Sequence, residues 1–226
     1  MIKKYSKYLA LNLVKLSVIS APFCCIVSAH ADHLDKFDFL MAEANHQINA
    51  HHDKETTQRF TAWQNLIHHS LNKTESEKIE AVNDFFNRMT WVSDKELWNK
   101  KDYWATPIES LIRNAGDCED FSIAKYFTLM ALDIPIERLR INYVKMSDQQ
   151  NHMVLSYYPS LTSEPLILDN FNTKILKKHE RTDLSFLFNF NSEGLWLNDN
   201  KMIVLNNDNA LNQWTRMMKQ IEKEQG

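Results

Sequence analysis

Glycine is close to missing from this chain: there are 3 in 226 residues, alongside 5 prolines. That supply excludes the glycine-rich phosphate loops of nucleotide-binding proteins and leaves no Gly/Pro/Ser linker to separate domains. A basic excess is missing too. Lys and Arg total 26 against 29 Asp and Glu, a formal net charge of -3, so nothing favours a polynucleotide partner. Cysteine stands at only 3, too few for a disulfide framework. What remains is 44% hydrophobic and 24% charged residues without repeats or low-complexity tracts, the composition of one ordinary globular domain.

The chain opens with Lys3, Lys4 and Lys7, runs through a mostly apolar stretch from Leu16 to Ser28, and reaches Ala29-His30-Ala31. A basic start, a short apolar run and a small-x-small site describe an export signal cleaved after Ala31. Lys15 keeps the apolar run well below the ~20 residues a membrane-spanning helix needs. The expected organisation is therefore a signal peptide over residues 1–31 and a single domain over 32–226, placed in the periplasm. Cys24 and Cys25 fall inside the signal, without the sequence of a lipoprotein acceptor. Cys118 is then the one thiol of the mature chain, either buried and inert or exposed and reactive.

Residues 32–91 carry apolar side chains at spacings of three and four: Leu34, Phe37, Leu40 and Met41, then Phe60, Trp63, Leu66 and Ile67, then Ile79, Val82, Phe85, Phe86 and Met89. The pattern predicts helices with core-facing stripes. Thr106-Pro107-Ile108-Glu109 reads as a capping box with proline in the first turn, and the helix it starts should stop at Ala115-Gly116. A further helix begins at once, with Asp117 as N-cap and Cys118 in the first turn. Beyond Pro135 the period changes. Leu139–Met146, His152–Tyr158 and Leu166–Asp169 read as strands, and Leu195–Leu197 with Met202–Leu205 as a hairpin across Asn198-Asp199-Asn200. The tail from Ala210 to Gln225 returns to helix. Helices first and an antiparallel sheet afterwards make an α+β fold.

The stretch N-A-G-D-C-E-D-F-S, residues 114–122, places three carboxylates around the lone thiol. Neighbouring negative charge discourages a thiolate, whereas a helix N-terminus encourages one. A cysteine nucleophile also needs a base and a group that orients the base. His152 follows Cys118 by 34 residues and Asp169 follows His152 by 17. If the strands that carry them pair antiparallel, Asp169 lies beside His152. The bland reading is a surface or core histidine, with acids that merely complement the helix dipole.

The stretches WATPIESLIRNAGDCEDFSIAKYFTLMALDI, NHMVL and LILDN together resemble the bacterial transglutaminase-like cysteine proteinases, over a span from about Trp63 to Trp196. The resemblance implies a papain-like or transglutaminase-like core, with the nucleophile helix packed on the antiparallel sheet. It makes Cys118 the nucleophile, His152 the general base and later acid, and Asp169 the residue that orients the imidazole. It further implies calcium dependence, with Asp117, Glu119 and Asp120 matching the family's calcium-site acids. The implied substrate is the N-terminal region of a large surface adhesin, cut near small residues such as Ala-Ala. Release of the adhesin would control biofilm attachment, and an inner-membrane cyclic-di-GMP (c-di-GMP) receptor would sequester the protease.

Two rival functions follow from the same residues. An acyl-transferring transglutaminase or amidase would form the same thioester and resolve it with an amine, and a non-catalytic calcium-binding module would keep the fold with a silent thiol. Trp104 is a candidate oxyanion donor or, with more weight, a packing residue. His46, His51, His52, His68 and His69 read as a solvated helix face, and the absence of C-x-x-C pairs argues against structural zinc.

Overall fold

In the computed structural model of the protein, Ala42, His46 and residues 53–197, 201–203 and 209–224 are described. The expected export signal and the stripe from Leu34 to Met41 lie outside them, as does the turn at 198–200.

The first described helix, α1 (Lys54–Ser70), starts where the Asp53 carboxylate accepts the Thr56 N–H at 2.9 Å. Its stripe of Phe60, Trp63 and Ile67 is fully buried. Helix α2 (Glu75–Phe86) opens with a Thr74–Glu77 capping box and buries Ile79, Val82 and Phe86. The helical pattern expected as far as residue 91 ends sooner. Thr90–Trp91 forms a short strand, β1, paired in parallel with β2 (Ala115–Gly116). A two-residue strand has no periodicity of its own, so it cannot be told from the end of an apolar helical stripe.

After the single turn α3 (Asp94–Leu97), α4 (Pro107–Arg113) begins with the Thr106–Glu109 capping box and Pro107 in the first turn. It stops at Asn114, whose φ of 50° is left-handed, a conformation asparagine tolerates at a helix end. Strand β2 occupies Ala115–Gly116, and α5 (Cys118–Ala131) follows with Asp117 as N-cap.

A seven-stranded antiparallel sheet follows, in the order β6-β5-β4-β3-β7-β8-β9. Its members are β3 (Leu139–Met146), β4 (Asn151–Tyr157), β5 (Leu166–Leu168), β6 (Leu176–Lys177), β7 (Leu184–Phe190), β8 (Leu195–Leu197) and β9 (Lys201–Ile203). Strand β7 has no counterpart in the sequence reading. Its Leu184, Phe186, Phe188 and Phe190 alternate, but Leu187 and the preceding charged turns mask the period. Helix α5 lies across β4 and β3, with α2 and α4 against it. Trp63 sits beneath α5 and donates from Nε1 to Thr128 Oγ1 at 2.9 Å. The last helix, α6 (Asn209–Glu224), is pinned by Trp214, Met217 and Ile221, all buried. Among the described residues no helix is long and apolar enough to cross a membrane. The fold is a mixed helix and antiparallel-sheet architecture, the α+β arrangement expected.

Candidate active site

Strand β2 delivers the chain to the start of α5, so Cys118 occupies the first position of a 14-residue helix. His152 is the second residue of β4, and Asp169 directly follows β5. Because β4 and β5 are antiparallel, with Leu155 opposite Leu168, the start of one strand lies near the end of the other. His152 Nε2 and Asp169 Oδ1 are 2.8 Å apart, both residues almost completely buried. Cys118 and His152 line one cavity of about 640 Å³, together with Trp91, Trp104, Tyr143 and Met153 among others.

Asp169 is heavily anchored. Oδ1 also accepts the Phe171 N–H at 2.9 Å, and Oδ2 accepts Arg181 Nη2 at 2.7 Å. The Asp169 carbonyl accepts Asn87 Nδ2 at 2.9 Å, which ties this loop to the end of α2. Burial is the largest influence on the carboxyl and opposes its ionisation. The His152 hydrogen bond and charge, the Phe171 N–H and Arg181 outweigh it together and bring Asp169 down to about 2. With Asp169 ionised at neutral pH, the tautomer that satisfies its contact with His152 carries its proton on His152 Nε2 and leaves the Nδ1 lone pair to accept. Nδ1 is buried without a hydrogen-bond partner. Arg181 is a site residue the sequence reading missed, since a lone arginine in a connecting segment carries no signal of its own.

The thiol tells the opposite story. Cys118 Sγ lies 3.0 Å from Glu119 Oε2, as a thiol donating to a carboxylate does. Burial, then the charges of Glu119 and Asp117, pushes the thiol well up, against a hydrogen bond from the Met153 N–H. Asp117, Cys118 and Glu119 form one group of ligand atoms within 4.8 Å of each other, Asp94, Asp117 and Asp120 a second, and Asp94, Asp102 and Glu119 a third. Five carboxylates from three segments thus converge beside the start of α5. Asp94 and Asp102 were invisible in sequence, standing 24 and 16 residues before Cys118 with no local pattern to connect them.

These acids are mutually unfavourable as they stand. Burial and the Glu119 charge push Asp117 up to about 9. Burial pushes Glu119 up to about 7, and it raises Asp94 and, more strongly, Asp120. Asp94 Oδ1 and Asp117 Oδ1 are buried without a hydrogen-bond partner. Clustered oxygen donors with orphaned buried oxygens and uncompensated charge are what a hard divalent cation satisfies. Asp120 is different, because its two oxygens already accept the Ala105 N–H at 2.8 Å and the Asp117 N–H at 3.3 Å. It braces the loop that carries Trp104 against the start of α5. Gly116 makes this brace possible: a Cβ there would stand 2.6 Å from the Asp120 Cβ and Oδ2.

Trp104 is 5% exposed and stacks on Phe190, ring centroids 5.7 Å apart. It packs against β7 as well as lining the cavity. His68 and His69 are exposed on α1, and neither belongs to one of these ligand groups.

A family profile described as bacterial transglutaminase-like cysteine proteinase (BTLCP) matches residues 61–201. Among solved structures, Legionella pneumophila LapG is 40% identical, with a TM-score of 0.70, covering 80% of this chain and 97% of that one. The calcium-bound form of the same protein gives 40% identity, a TM-score of 0.71 and coverage of 80% and 98%. The EGTA-treated form gives 40%, 0.72, 80% and 97%. No curated protein sequence matches significantly.

Proposed function

Because the chain belongs to the bacterial transglutaminase-like cysteine proteinases, we propose that it is a periplasmic, calcium-dependent cysteine endopeptidase with Cys118, His152 and Asp169 as its catalytic residues. Its proposed substrate is the N-terminal region of a large surface adhesin, whose release controls biofilm attachment. An inner-membrane c-di-GMP receptor of the LapD type is the proposed sequestering partner. The observation that carries this reading is that His152, paired with Asp169, lines the same cavity as the helix-borne thiol.

In this mechanism Cys118 Sγ attacks the scissile carbonyl carbon while its proton passes to His152 Nδ1. The tetrahedral adduct collapses, and the departing amine takes that proton from the imidazole. The thioester left on Cys118 is attacked by water, which gives a proton to His152, and the second collapse frees the acid and returns the proton to the thiol. Asp169 keeps the imidazole in one orientation and stabilises its charged form; the His152 contact does most to keep Asp169 ionised, and the Phe171 N–H and Arg181 add to it.

Asp94, Asp102, Asp117 and Glu119 would hold the calcium, and Asp120 would support them through its backbone hydrogen bonds. When bound, calcium supplies positive charge that offsets the carboxylates surrounding the thiol. LapG, at 40% identity, occurs in calcium-bound form, which supports this assignment.

The test is incubation of an adhesin N-terminal fragment with the chain from Asp32 onward, beside Cys118→Ala and beside EGTA-treated enzyme, with products read by mass. One cut, lost in both controls, is the expected result. Amine-labelled or crosslinked product without a new N-terminus would replace hydrolysis by acyl transfer. Cutting by Cys118→Ala would overturn the proposal.

A further inference from the structure

A second cavity, of about 400 Å³, adjoins the first between α6 and the loop at 100–104. Asp102, Trp104 and Gln213 line both, so the two cavities meet at these residues. Its charge is opposite to that of the catalytic cavity. Lys100, Arg216, Lys219 and Lys223 line it, with Asp102 as the one acid among its lining residues. The carboxylate of Asp102 belongs to the cluster with Asp94 and Glu119.

The arrangement follows from the helix period. Trp214, Met217 and Ile221 turn one stripe of α6 into the core, while Arg216, Lys219 and Lys223 repeat at three and four on a neighbouring, exposed stripe. Gln213 Nε2 donates to the Asp102 carbonyl at 3.0 Å and Gln220 Nε2 to Glu109 Oε1 at 2.7 Å. These bonds fix α6 to the opposite wall. The Glu109 carboxylate is consumed by Gln220, by Tyr103 Oη at 2.7 Å and by the Thr106 N–H at 2.9 Å. None of the four basic side chains forms an ion pair among the described residues. Lys100 instead sits 3.4 Å above the Tyr103 ring. A braced channel whose four cations form no ion pair among the described residues, in a chain whose net charge is -3, concentrates positive charge on one wall.

We infer that this groove is an exosite for an acidic segment of the peptide substrate, lying to one side of the scissile bond. The inference rests on the proposed peptidase reading, since it is continuity with the Cys118 cavity that assigns the groove to the substrate chain. Carboxylates spaced along an extended peptide would meet Arg216, Lys219 and Lys223, and the cut would be directed to bonds flanked by acidic sequence.

The experiment uses peptide vinyl sulfones that alkylate Cys118: the thiolate adds to the vinyl β-carbon and the α-carbon takes a proton. A short Ala-Ala probe is compared with the same probe extended by four aspartates, on its amino-terminal side or on the sulfonyl side. Calcium-loaded wild type is set beside Arg216→Glu/Lys219→Glu and the milder Arg216→Ala/Lys219→Ala. One extended probe should react about tenfold faster than the short one, with the advantage shrinking as salt rises. It should vanish in the charge-reversed variant, fall by part in the alanine variant, and leave the short-probe rate unchanged in both. Equal rates for all probes on wild type would overturn the exosite while leaving the peptidase intact. Pelleting of wild type but not of the reversed variant with phosphatidylglycerol vesicles, without any probe preference, would overturn it in favour of a lipid surface. A short probe that reacts with wild type no faster than with glutathione would instead remove the peptidase reading, and the exosite with it.

Discussion

The ring of Phe171 lies flat on the imidazole of His152, with centroids 4.7 Å apart and planes 8° from parallel. Phe171 is 52% exposed, so burial of its own surface does not explain the placement. Its N–H holds Asp169 Oδ1 while its ring covers the histidine that the same carboxylate orients. The stack fixes the imidazole plane, sheds water from it, and presents a π face to the charged form. Phe171→Leu keeps an apolar cover but loses the flat face. Alkylation of Cys118 by a peptide vinyl sulfone should slow by about three- to thirtyfold, with little change in Tm, and Phe171→Trp should recover most of the rate. An unchanged rate in the leucine variant would reduce Phe171 to a surface residue.

Arg181 and Asp169 form an ion pair with side chains only 2% and 0% exposed. Asp169, at about 2 in the folded chain, lies below the roughly 3.9 of an unfolded aspartate. Its contribution to stability is therefore complete above roughly pH 5 and disappears as the pH falls through about 2. Arg181→Met removes one partner of a buried pair and should cost about 3–5 kcal/mol at neutral pH. Urea unfolding between pH 7 and pH 2 would show the gap between wild type and variant narrowing as the pH drops. A gap that stays constant would mean that Arg181 acts through packing alone.

The candidate site divides into what is local in sequence and what the sheet brings together. Asp117, Cys118, Glu119 and Asp120 are consecutive, and the helix they begin was legible from its cap and apolar face. His152 and Asp169 were legible as neighbours because one stands at the start and the other at the end of two strands whose alternation shows. Arg181, Phe171, Asp94 and Asp102 were not, for one physical reason: each sits in a connecting segment and acquires its neighbour only through tertiary packing. Strand β1 escaped detection because its two residues inherit the helical stripe before them. Strand β7, central in the sheet, hides its alternation behind Leu187, an apolar residue on the wrong parity that is 39% exposed.

Asp94 and Asp102 provide a test of the proposed cation site away from α5. The Asp94 Oδ2 accepts the Tyr103 N–H at 2.5 Å while Oδ1 has no partner. Asp94→Asn can keep the first bond through its amide oxygen and loses only charge. Calorimetric titration should show calcium binding weakened by about tenfold or more in Asp94→Asn and in Asp102→Asn. The rise in Tm on adding calcium should shrink accordingly. In wild type, EGTA should slow Cys118 alkylation and calcium restore it, whereas magnesium, which demands a tighter octahedral shell, should not. Full calcium affinity in both variants would remove these residues from the site.

Gly116 is one of only 3 glycines in the chain, and its place against Asp120 explains why a larger residue is excluded. A Cβ at this position would meet both the Asp120 Cβ and Oδ2 at 2.6 Å. Asp120 is fully buried on α5, so it cannot swing into solvent to make room. Relief must come from parting β2 and the start of α5, which stretches the Asp120 hydrogen bonds to the Ala105 and Asp117 N–H groups. Gly116→Ala should therefore cost about 1–3 kcal/mol of stability, as overpacking does. It should also lower calcium affinity and Cys118 reactivity together, because one displacement moves the acids and the thiol. Paired measurements of Tm, calcium titration and vinyl sulfone rate separate the cases. A variant that loses stability but keeps affinity and reactivity would show the strain relieved away from α5, and Gly116 would then be a packing residue without a part in the site.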